Sequence, residues 1–501
     1  MEKANCSKVL IAACIILLMV TNAIGFDFSK LEKSVTERTL DNGLKILVLE
    51  RHDAPVVSFV TWVNVGGADD PKECTGLAHM FEHMAFKGTR DIGSKNIDDE
   101  LKLIAIEDSI YMELRSERNK GRLADSSRLA ELLKAYDDAR EASFELVEPN
   151  EFSQIVEREG GVGLNAGTSM DFTMYITSYP SNRLELWMAM ESARFANPVL
   201  REMYKERDVV AEERRMGIES SPFGRLLDDM RSAAFKAHPY TNPIVGHASD
   251  IQNYSREAAG AFYEKHYVPS NMVIAIVGDV KTKEVLKLAE KYWSPLPNKP
   301  KPEAISTIEP VQKGERRIVQ EDPAQPLLII GWHIPEETHP DKLVIDALVD
   351  YFGQGRTSLL YESLVKDKKI ASQIGVFAGY PASKYPSLCL TYVIPSQGHT
   401  AAECEEQVYT ELEKILAELI AVEEVEKIKA RAKSNFVFGL DNNTGLAMQL
   451  AAYQTYWGDW HALFSELDRI NAVTAQDIQD VAKKYFTKEN RTVAIMNTIE
   501  N

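Results

Sequence analysis

The chain is 501 residues long, with 45% hydrophobic and 26% charged residues. This length is too great for one ordinary hydrophobic core, so we expect two to four domains of a globular protein. The net charge of -18 opposes binding to a phosphate backbone, and no nucleic-acid partner is expected.

The first 25 residues have the pattern of a secretory signal peptide. Lys3 and Lys8 form a basic start, residues 9–20 are apolar, and small residues precede Phe26. This pattern predicts cleavage before Phe26 and export, with the bacterial periplasm as the expected destination. Residues 11–14 superficially resemble a lipoprotein cleavage site, but they lie too close to Lys8, so plain export is favoured. No later stretch predicts a membrane span.

Three cysteines follow the leader, and their spacing is not that of a disulfide framework. Cys389 and Cys404 could pair in an oxidising compartment, and the sequence leaves that pairing open. Cys74 lies shortly before a histidine cluster, where we interpret it as a small buried residue rather than a metal ligand.

The mature chain begins with strand patterns. Asn42-Gly43 predicts a tight turn between strands over residues 34–40 and 44–49. Residues 56–65 are β-branched and aromatic and predict another strand, which a glycine-rich loop over residues 66–71 ends.

Residues 74–89 contain His79, Glu82 and His83 in the order His-x-x-Glu-His. On a helix, His79 and His83 project from one face, so both imidazoles can reach one metal ion. Glu82 lies on the same side and can contact a metal-bound water. This order is the inverted form of a zinc signature. The alternative is a buried structural helix, but burying these three groups without a shared partner is costly.

Residues 98–148 predict a highly charged helical hairpin, which we interpret as a solvated insertion without a catalytic role. The glycine-rich residues 160–169 lack the spacing of a phosphate-binding loop. A strand over residues 172–177 and a helix over residues 183–195 are predicted next.

A second helix carries Glu206 and Glu213, which lie two turns apart on one face. Zinc suits imidazole and carboxylate ligands, and a catalytic site uses three of them. Such a helix is a sensible source of the third ligand, although an ordinary solvated acidic helix has the same pattern.

The second half of the chain echoes the first. Five prolines over residues 293–310 indicate a stiff linker. Residues 265–276 and 483–495 share a helix end followed by a strand, which predicts two related halves. The second half contains no His-x-x-Glu-His, and its counterpart region, residues 350–358, predicts no second metal site.

Together these features resemble the pitrilysin/insulinase family of zinc metallopeptidases, and in particular its bacterial two-domain members similar to processing peptidases. The motifs that carry the likeness are, in chain order, Thr39–Leu44, Gly76–Met84, Leu164–Ser169, Glu206–Glu213 and Tyr267–Val273. Five ordered motifs over nearly the whole mature chain make this likeness specific.

The resemblance implies one Zn²⁺ per chain, bound by His79, His83 and Glu213. It makes Glu82 the general base and Glu206 an outer carboxylate that supports the site.

It also implies an α+β fold of two related α/β-roll halves, each a mainly antiparallel sheet packed with helices, which form a clam-like chamber. We expect a catalytic domain over residues 26–292 with the hairpin inserted at about 98–148. A linker over residues 293–316 and a non-catalytic, substrate-enclosing domain over residues 317–501 complete the expected arrangement.

Substrate peptides are implied to add as a strand beside Asn165, Ala166 and Thr168. The family's substrate-clamping Arg and Tyr would fall near Val365 and Ser372, and neither is present. This departure suggests a homodimer or heterodimer in which a substrate-binding subunit supplies the Arg/Tyr pair.

We therefore expect an exported zinc metalloendopeptidase that hydrolyses extended peptides or unfolded segments. The first alternative is a non-catalytic or partner-dependent peptide-binding or scaffold subunit of a heteromeric processing peptidase. The second is a metal-storing or structural zinc protein, in which Glu82 would have no purpose. Cleavage preference, physiological substrate and oligomeric state stay open.

Overall fold

The computed structural model describes residues 28–499, so the predicted signal peptide and its cleavage site lie outside the described residues. Two mixed β-sheets organise the chain. The first sheet contains β1 (Val35–Thr39), β2 (Lys45–Glu50), β3 (Val56–Val63), β4 (Val162–Thr168), β5 (Thr173–Pro180) and β6 (Met272–Gly278). The second contains β7 (Arg316–Asp322), β8 (Leu327–Ile334), β9 (Ala371–Tyr380), β10 (Ser387–Pro395) and β11 (Arg491–Thr498).

Helices connect the strands and cover the sheets. Those of the first half are α1 (Phe28–Ser34), α2 (Leu77–Met84), α3 (Ile97–Asn119), α4 (Ser126–Phe144), α5 (Glu151–Arg158), α6 (Leu184–Ala196), α7 (Met203–Arg214), α8 (Pro222–Ala234), α9 (Ala248–Gln252), α10 (Arg256–His266) and α11 (Thr282–Tyr292). Those of the second half are α12 (Asp341–Gly353), α13 (Ala401–Ala417), α14 (Val422–Gly439), α15 (Asn443–Trp457), α16 (Glu466–Ala472) and α17 (Ala475–Tyr485).

The two sheets share one topology. Their strand orders are β1-β2-β6-β3-β5-β4 and β7-β11-β8-β10-β9. Without β1, each half places its last strand parallel to its first strand and antiparallel to its second. The predicted echo falls on corresponding elements, α10 with β6 and α17 with β11. The predicted α+β class with two related, mainly antiparallel halves is confirmed, and it fits a two-half chamber fold.

The first strands form where the sequence predicts them. Gly43 has a φ of +88°, which favours glycine, in the turn between β1 and β2. The strand β6 is an apolar run whose seven residues are all buried, because it lies between β2 and β3 with helices on both faces.

Each half lends one helix to the other half's sheet. The helix α15 packs Leu446 and Leu450 against Val60 and Val277 of the first sheet. The helix α8 packs Met230 against the second sheet, beside Ile329 and other buried residues. Each half has a core cluster of its own, and two further clusters contain residues of both halves. The division into a domain up to residue 292 and another from residue 317 stays a prediction.

The charged hairpin consists of α3 and α4, and buried ion pairs fix it to the body of the first half. Arg201 Nε donates to Glu100 Oε1 over 2.8 Å, and both side chains are about 1% exposed. Arg256 binds Glu107 over 3.1 Å. Burying such charges is favourable only when they are paired, so the hairpin is anchored rather than loosely attached.

The connection between the halves, residues 293–315, contains no helix or strand. It is held by hydrogen bonds, because the Glu309 carboxylate accepts from the backbone N–H groups of residues 236–238. Cys74, Cys389 and Cys404 are all unpaired, the last two buried. Within residues 28–499, no helix combines the length and the apolar character needed to cross a bilayer.

Candidate metal centre

The helix α2 presents the histidine motif, and its buried face explains its position. Its apolar residues Leu77, Ala78, Met80, Phe81 and Met84 pack into the core of the first half. The helix begins after Gly76, which has a φ of +87°. The Asp70 carboxylate accepts from the N–H groups of Gly76 (2.6 Å) and Ala78 (2.8 Å), so it satisfies two donors at the helix N-terminus.

On its other face, α2 meets α7, and three predicted ligands converge. His79 Nε2 lies 3.6 Å from Glu213 Oε2, and His83 Nε2 lies 3.7 Å from Glu213 Oε1. One ligand atom from each of the three residues lies within 4.8 Å of the others. Ligand atoms of a tetrahedral zinc ion lie roughly 3.3 Å apart. The three side chains therefore fit a zinc ion with only small adjustments.

Glu206 orients the second imidazole. Its Oε1 lies 3.2 Å from His83 Nδ1, and its other oxygen binds Lys87 Nζ over 2.6 Å. Burial raises the pKa of Glu206, but the hydrogen bonds from His83 and Lys87 outweigh it, so the pKa is lowered. An ionised Glu206 accepts the Nδ1 proton of His83, which leaves the Nε2 lone pair free to bind a metal.

The pKa values of the two imidazoles are shifted in opposite directions. Burial and the neighbouring His83 lower the pKa of His79, which favours the neutral form that a metal requires. Burial also lowers the pKa of His83, but the Glu206 hydrogen bond and the Glu213 charge raise it overall. The buried Nδ1 of His79 has no hydrogen-bond partner among residues 28–499.

The Glu82 carboxylate forms no hydrogen bond or ion pair with any described residue, although it is only partly exposed. It lies one residue before His83 and one helical turn after His79. Glu212, in contrast, faces away from α2 and binds Arg215 over 2.6 Å. The carboxylate beside the histidines is thus the one left free to exchange a proton.

The predicted substrate strand lies next to this site. Asn165, Ala166 and Thr168 belong to β4, which contacts α2. The strand β4 is at the edge of the first sheet and pairs only with β5 among the described strands. Its second edge therefore offers backbone N–H and C=O groups.

A cavity of about 330 Å³ opens beside the three ligands, between the two halves. Its walls include His79 and Glu213 from the first half and Tyr380 from the end of β9 in the second. Arg231 of α8 also lines it and lies beside Tyr380, whose pKa burial raises. Val365 and Ser372 do not line it, and Ser372 Oγ donates to a backbone carbonyl of β10.

Sequence reasoning missed Asp70, Arg231 and Tyr380. The only sequence signal for Asp70 is an acidic residue near the start of a helix. Nothing local signals the other two, because only the crossing of α8 to the second sheet brings Arg231 to Tyr380 and to the histidines.

Comparisons with known proteins agree with this architecture. A family model described as "Insulinase (Peptidase family M16)" matches residues 45–114 and 145–248, and one described as "Peptidase M16 inactive domain" matches residues 253–432. The break in the first match falls on the hairpin formed by α3 and α4.

Individual relatives match over almost the whole chain. "Zinc protease PqqE" of Helicobacter pylori is 28% identical over 91% of this chain and 91% of its own. "Mitochondrial-processing peptidase subunit beta" of Lentinula edodes is 22% identical over 92% of this chain and 90% of its own. The solved structure "The crystal structure of a protease from Helicobacter pylori" has a TM-score of 0.77 at 25% identity and covers 92% of this chain and 99% of that chain. With both family models in chain order and the two-half fold, this chain belongs to the M16 (insulinase/pitrilysin) peptidase family.

Proposed function

We propose that this chain is a zinc-dependent metalloendopeptidase that hydrolyses extended peptides or unfolded segments. The observation that carries this proposal is the convergence of His79, His83 and Glu213 beside a carboxylate, Glu82, that no other described residue engages. One Zn²⁺ per chain follows, because His79, His83 and Glu213 form the one group of three or more potential metal-ligating side chains among residues 28–499. A zinc ion there would supply Lewis acidity, which polarises a peptide carbonyl and lowers the pKa of a water molecule.

The chain's own groups then have distinct tasks. Glu82 accepts a proton from the attacking water at a carboxylate oxygen and transfers it to the nitrogen of the leaving amine. Glu206 holds the proton on His83 Nδ1 and so fixes the imidazole orientation. Both tasks use only side chains of α2 and α7. The buried face of α2 packs into the core and so fixes the position of Glu82 and His83.

Substrate orientation falls to β4. An extended peptide that pairs with its free edge would contact the backbone around Asn165, Ala166 and Thr168 and would cross in front of α2. Tyr380 and Pro381 of the second half line the same cavity, whose volume of about 330 Å³ suits a few residues of extended chain rather than a folded domain. The N-terminal leader pattern leads us to propose that cleavage takes place after export, in the periplasm.

The decisive experiment measures peptide hydrolysis by the purified mature chain with and without a chelator. We expect cleavage to stop on chelation and return with zinc. Glu82→Gln should keep one zinc per chain but lower kcat/KM at least about 100-fold, because only the proton acceptor is lost. Glu257→Gln, an exposed glutamate of α10, is the matched control and should behave as wild type. Full activity in Glu82→Gln would contradict the proposal.

A second candidate function is that of a partner-dependent subunit. It is favoured by Val365 and Ser372 at the positions where the family's Arg and Tyr would fall, and one relative is named as a subunit of a processing peptidase. In this case the isolated chain would bind zinc and remain inactive until a second subunit is added. Light scattering of the active fraction distinguishes the two, since a self-sufficient enzyme is active as a single chain species.

A further inference from the structure

A long groove separates the charged hairpin from α7. Its volume is about 710 Å³, more than twice the 330 Å³ of the cavity beside the metal ligands. One wall is a stripe along α7 and the π-helical turn that follows it (Arg215–Glu219), and it includes Lys205, Val209 and Met216. The other is formed by α3 and by the end of α4, where Ile104 and Phe144 lie. The family match breaks over residues 115–144, so Phe144 lies in a segment outside the family model, whereas Ile104 lies within the matched part.

Large apolar side chains are exposed along this groove. Met216 is 57% exposed, Val209 41% and Phe144 41%. Single exposed apolar residues are ordinary on a protein surface, but three that line one concave feature form a patch. Methionine adapts to varied partners, which suits a surface that binds many sequences.

The groove is preformed. Buried pairs of Arg201 with Glu100 and of Arg256 with Glu107 hold α3 in place. Beyond them, the Tyr204 hydroxyl of α7 donates to Asp108 of α3 over 2.8 Å. Because the walls do not have to be ordered by a ligand, binding there loses little conformational entropy.

The groove and the metal cleft meet at one residue. Glu213 lines both cavities, with the histidines on one side and Met216 on the other. From Glu202 to Met216 the stripe spans about 21 Å along the helix, which is the length of roughly six residues of extended chain. A peptide that occupies the cleft can therefore continue directly into the groove.

The charged residues that border the groove favour some peptide sequences over others. Seven acidic and three basic residues border the groove. Most of the acidic groups are paired, but the Glu141 carboxylate has no hydrogen bond or ion pair among residues 28–499. An acidic segment would be repelled here, whereas an apolar segment with neutral or basic ends would not.

We infer that the groove between α7 and the hairpin is an extended subsite, which binds an apolar, non-acidic segment about six residues long of the same peptide that is cut at the metal centre. This inference rests on the proposed peptidase function. It assigns the hairpin a role in substrate choice, in place of the solvated insertion that the sequence indicates.

The kinetic experiment uses one short peptide that the mature chain cleaves and versions lengthened on either side by six residues. We expect one lengthened apolar version to gain at least about tenfold in kcat/KM through a lower KM, with kcat unchanged, because the added binding is equal in ground and transition states. An acidic extension of the same length should give no gain. In Val209→Asp/Met216→Asp the gain should disappear while short-peptide cleavage stays within about twofold.

Val319→Asp, at a 57% exposed valine on β7, is the matched control and should retain the gain. Binding without turnover is measured by fluorescence anisotropy of labelled short and lengthened peptides on Glu82→Gln. Equal affinity of the two peptides there would overturn the inference, whether or not the wild-type chain is a peptidase. A change of oligomeric state in the double variant would also overturn it, since the groove would then be a subunit interface.

Discussion

The same pair of helices occurs in both halves, with different chemistry between them. In the first half α2 contacts α7, and in the second half the topologically equivalent α12 contacts α14. Between α2 and α7 lie His79, His83 and Glu213. Between α12 and α14, Arg431 Nε donates to the Asp350 carboxylate over 3.0 Å.

The two helix pairs differ in whether the protein's own side chains satisfy one another. In the second half, the opposite charges of Asp350 and Arg431 neutralise each other, and a second guanidinium nitrogen also donates to the carboxylate. The first half instead sets two imidazoles against one carboxylate, with all three ligand atoms directed toward a common point. Such a set has the donor types of a zinc site, in line with the proposed function. The same helix pair thus occurs in both halves. The side chains between the two helices determine whether they form an ion pair, as in the second half, or a candidate metal site, as in the first.

One substitution in each helix pair tests whether the two pairs differ chemically, and the largest effect is expected for the pair α2 and α7. Glu213→Gln should lose stoichiometric zinc and reduce peptide cleavage more than about 100-fold, because a neutral amide is a poor ligand for zinc. Metal content by elemental analysis and kcat/KM measure both effects.

Arg431→Gln is the counterpart in the second half. Its arginine is 41% exposed, so we expect a loss below about 1 kcal/mol of unfolding free energy and unchanged zinc content. Equal zinc loss in the two variants would show that the two helix pairs are not chemically distinct.

The exchanged helices test how independent the halves are. Leu450→Ala, in the second half, should lower stability by about 2–5 kcal/mol, because it leaves a cavity against the first sheet. Hydrogen exchange should then increase in β3 and β6, although these strands precede the substitution by more than a hundred residues.

Met230→Ala should have the reciprocal effect on the second sheet, since α8 packs there. Ile345→Ala, on α12, is the control, because its contacts lie within its own half. Faster exchange confined to α15 in Leu450→Ala would contradict the exchange of helices.

The outer carboxylate gives a smaller expected effect. Glu206→Gln removes a charged acceptor from His83 Nδ1 and leaves Lys87 with Glu202, at 3.8 Å, as its one remaining carboxylate partner among the described residues. Loss of such outer contacts lowers metal affinity by about 10–100-fold, so we expect this range in competition with a chelator. Glu411→Gln, a buried glutamate of the second half bound to Ser363 and Lys414, should leave zinc affinity unchanged.

The sequence predicts features that local pattern determines. The spacing of His79 and His83 is sufficient to place both imidazoles on one face, and Asn42-Gly43 is sufficient to predict the first turn. Glu213 needed the family likeness, because an acidic helix looks the same whether or not it faces a metal. The exchanged helices, Tyr380 and the groove were beyond prediction, since they depend on which sheet a helix crosses to, and no local pattern records that choice.

The smallest effect concerns one helix position that differs between the halves. His266 near the end of α10 is 3% exposed, and burial and the Lys265 charge lower its pKa to about 4. Tyr485, at the same place in α17, is partly buried and donates its hydroxyl proton to Asp341 over 2.7 Å. Of these two residues, only the histidine has its unfolded-state and folded-state pKa values, 6.5 and about 4, in the mildly acidic range.

The sign of the pH effect follows from the direction of this shift. Because the folded-state pKa lies below the unfolded value, the unfolded chain binds the proton more tightly, and stability falls as pH drops from about 6.5 to 4. Between about pH 7 and 5.5, His266→Phe should therefore lose about 1 kcal/mol less unfolding free energy than the wild type. Urea unfolding at each pH measures this difference. Differences between variants cancel the opposing contribution of Asp69, whose pKa burial raises to about 6. Tyr485→Phe is the matched control and should follow the wild-type pH dependence, since a tyrosine stays neutral over this range. A slope in His266→Phe identical to that of the wild type would mean that this imidazole is protonated as readily in the folded chain as in the unfolded one.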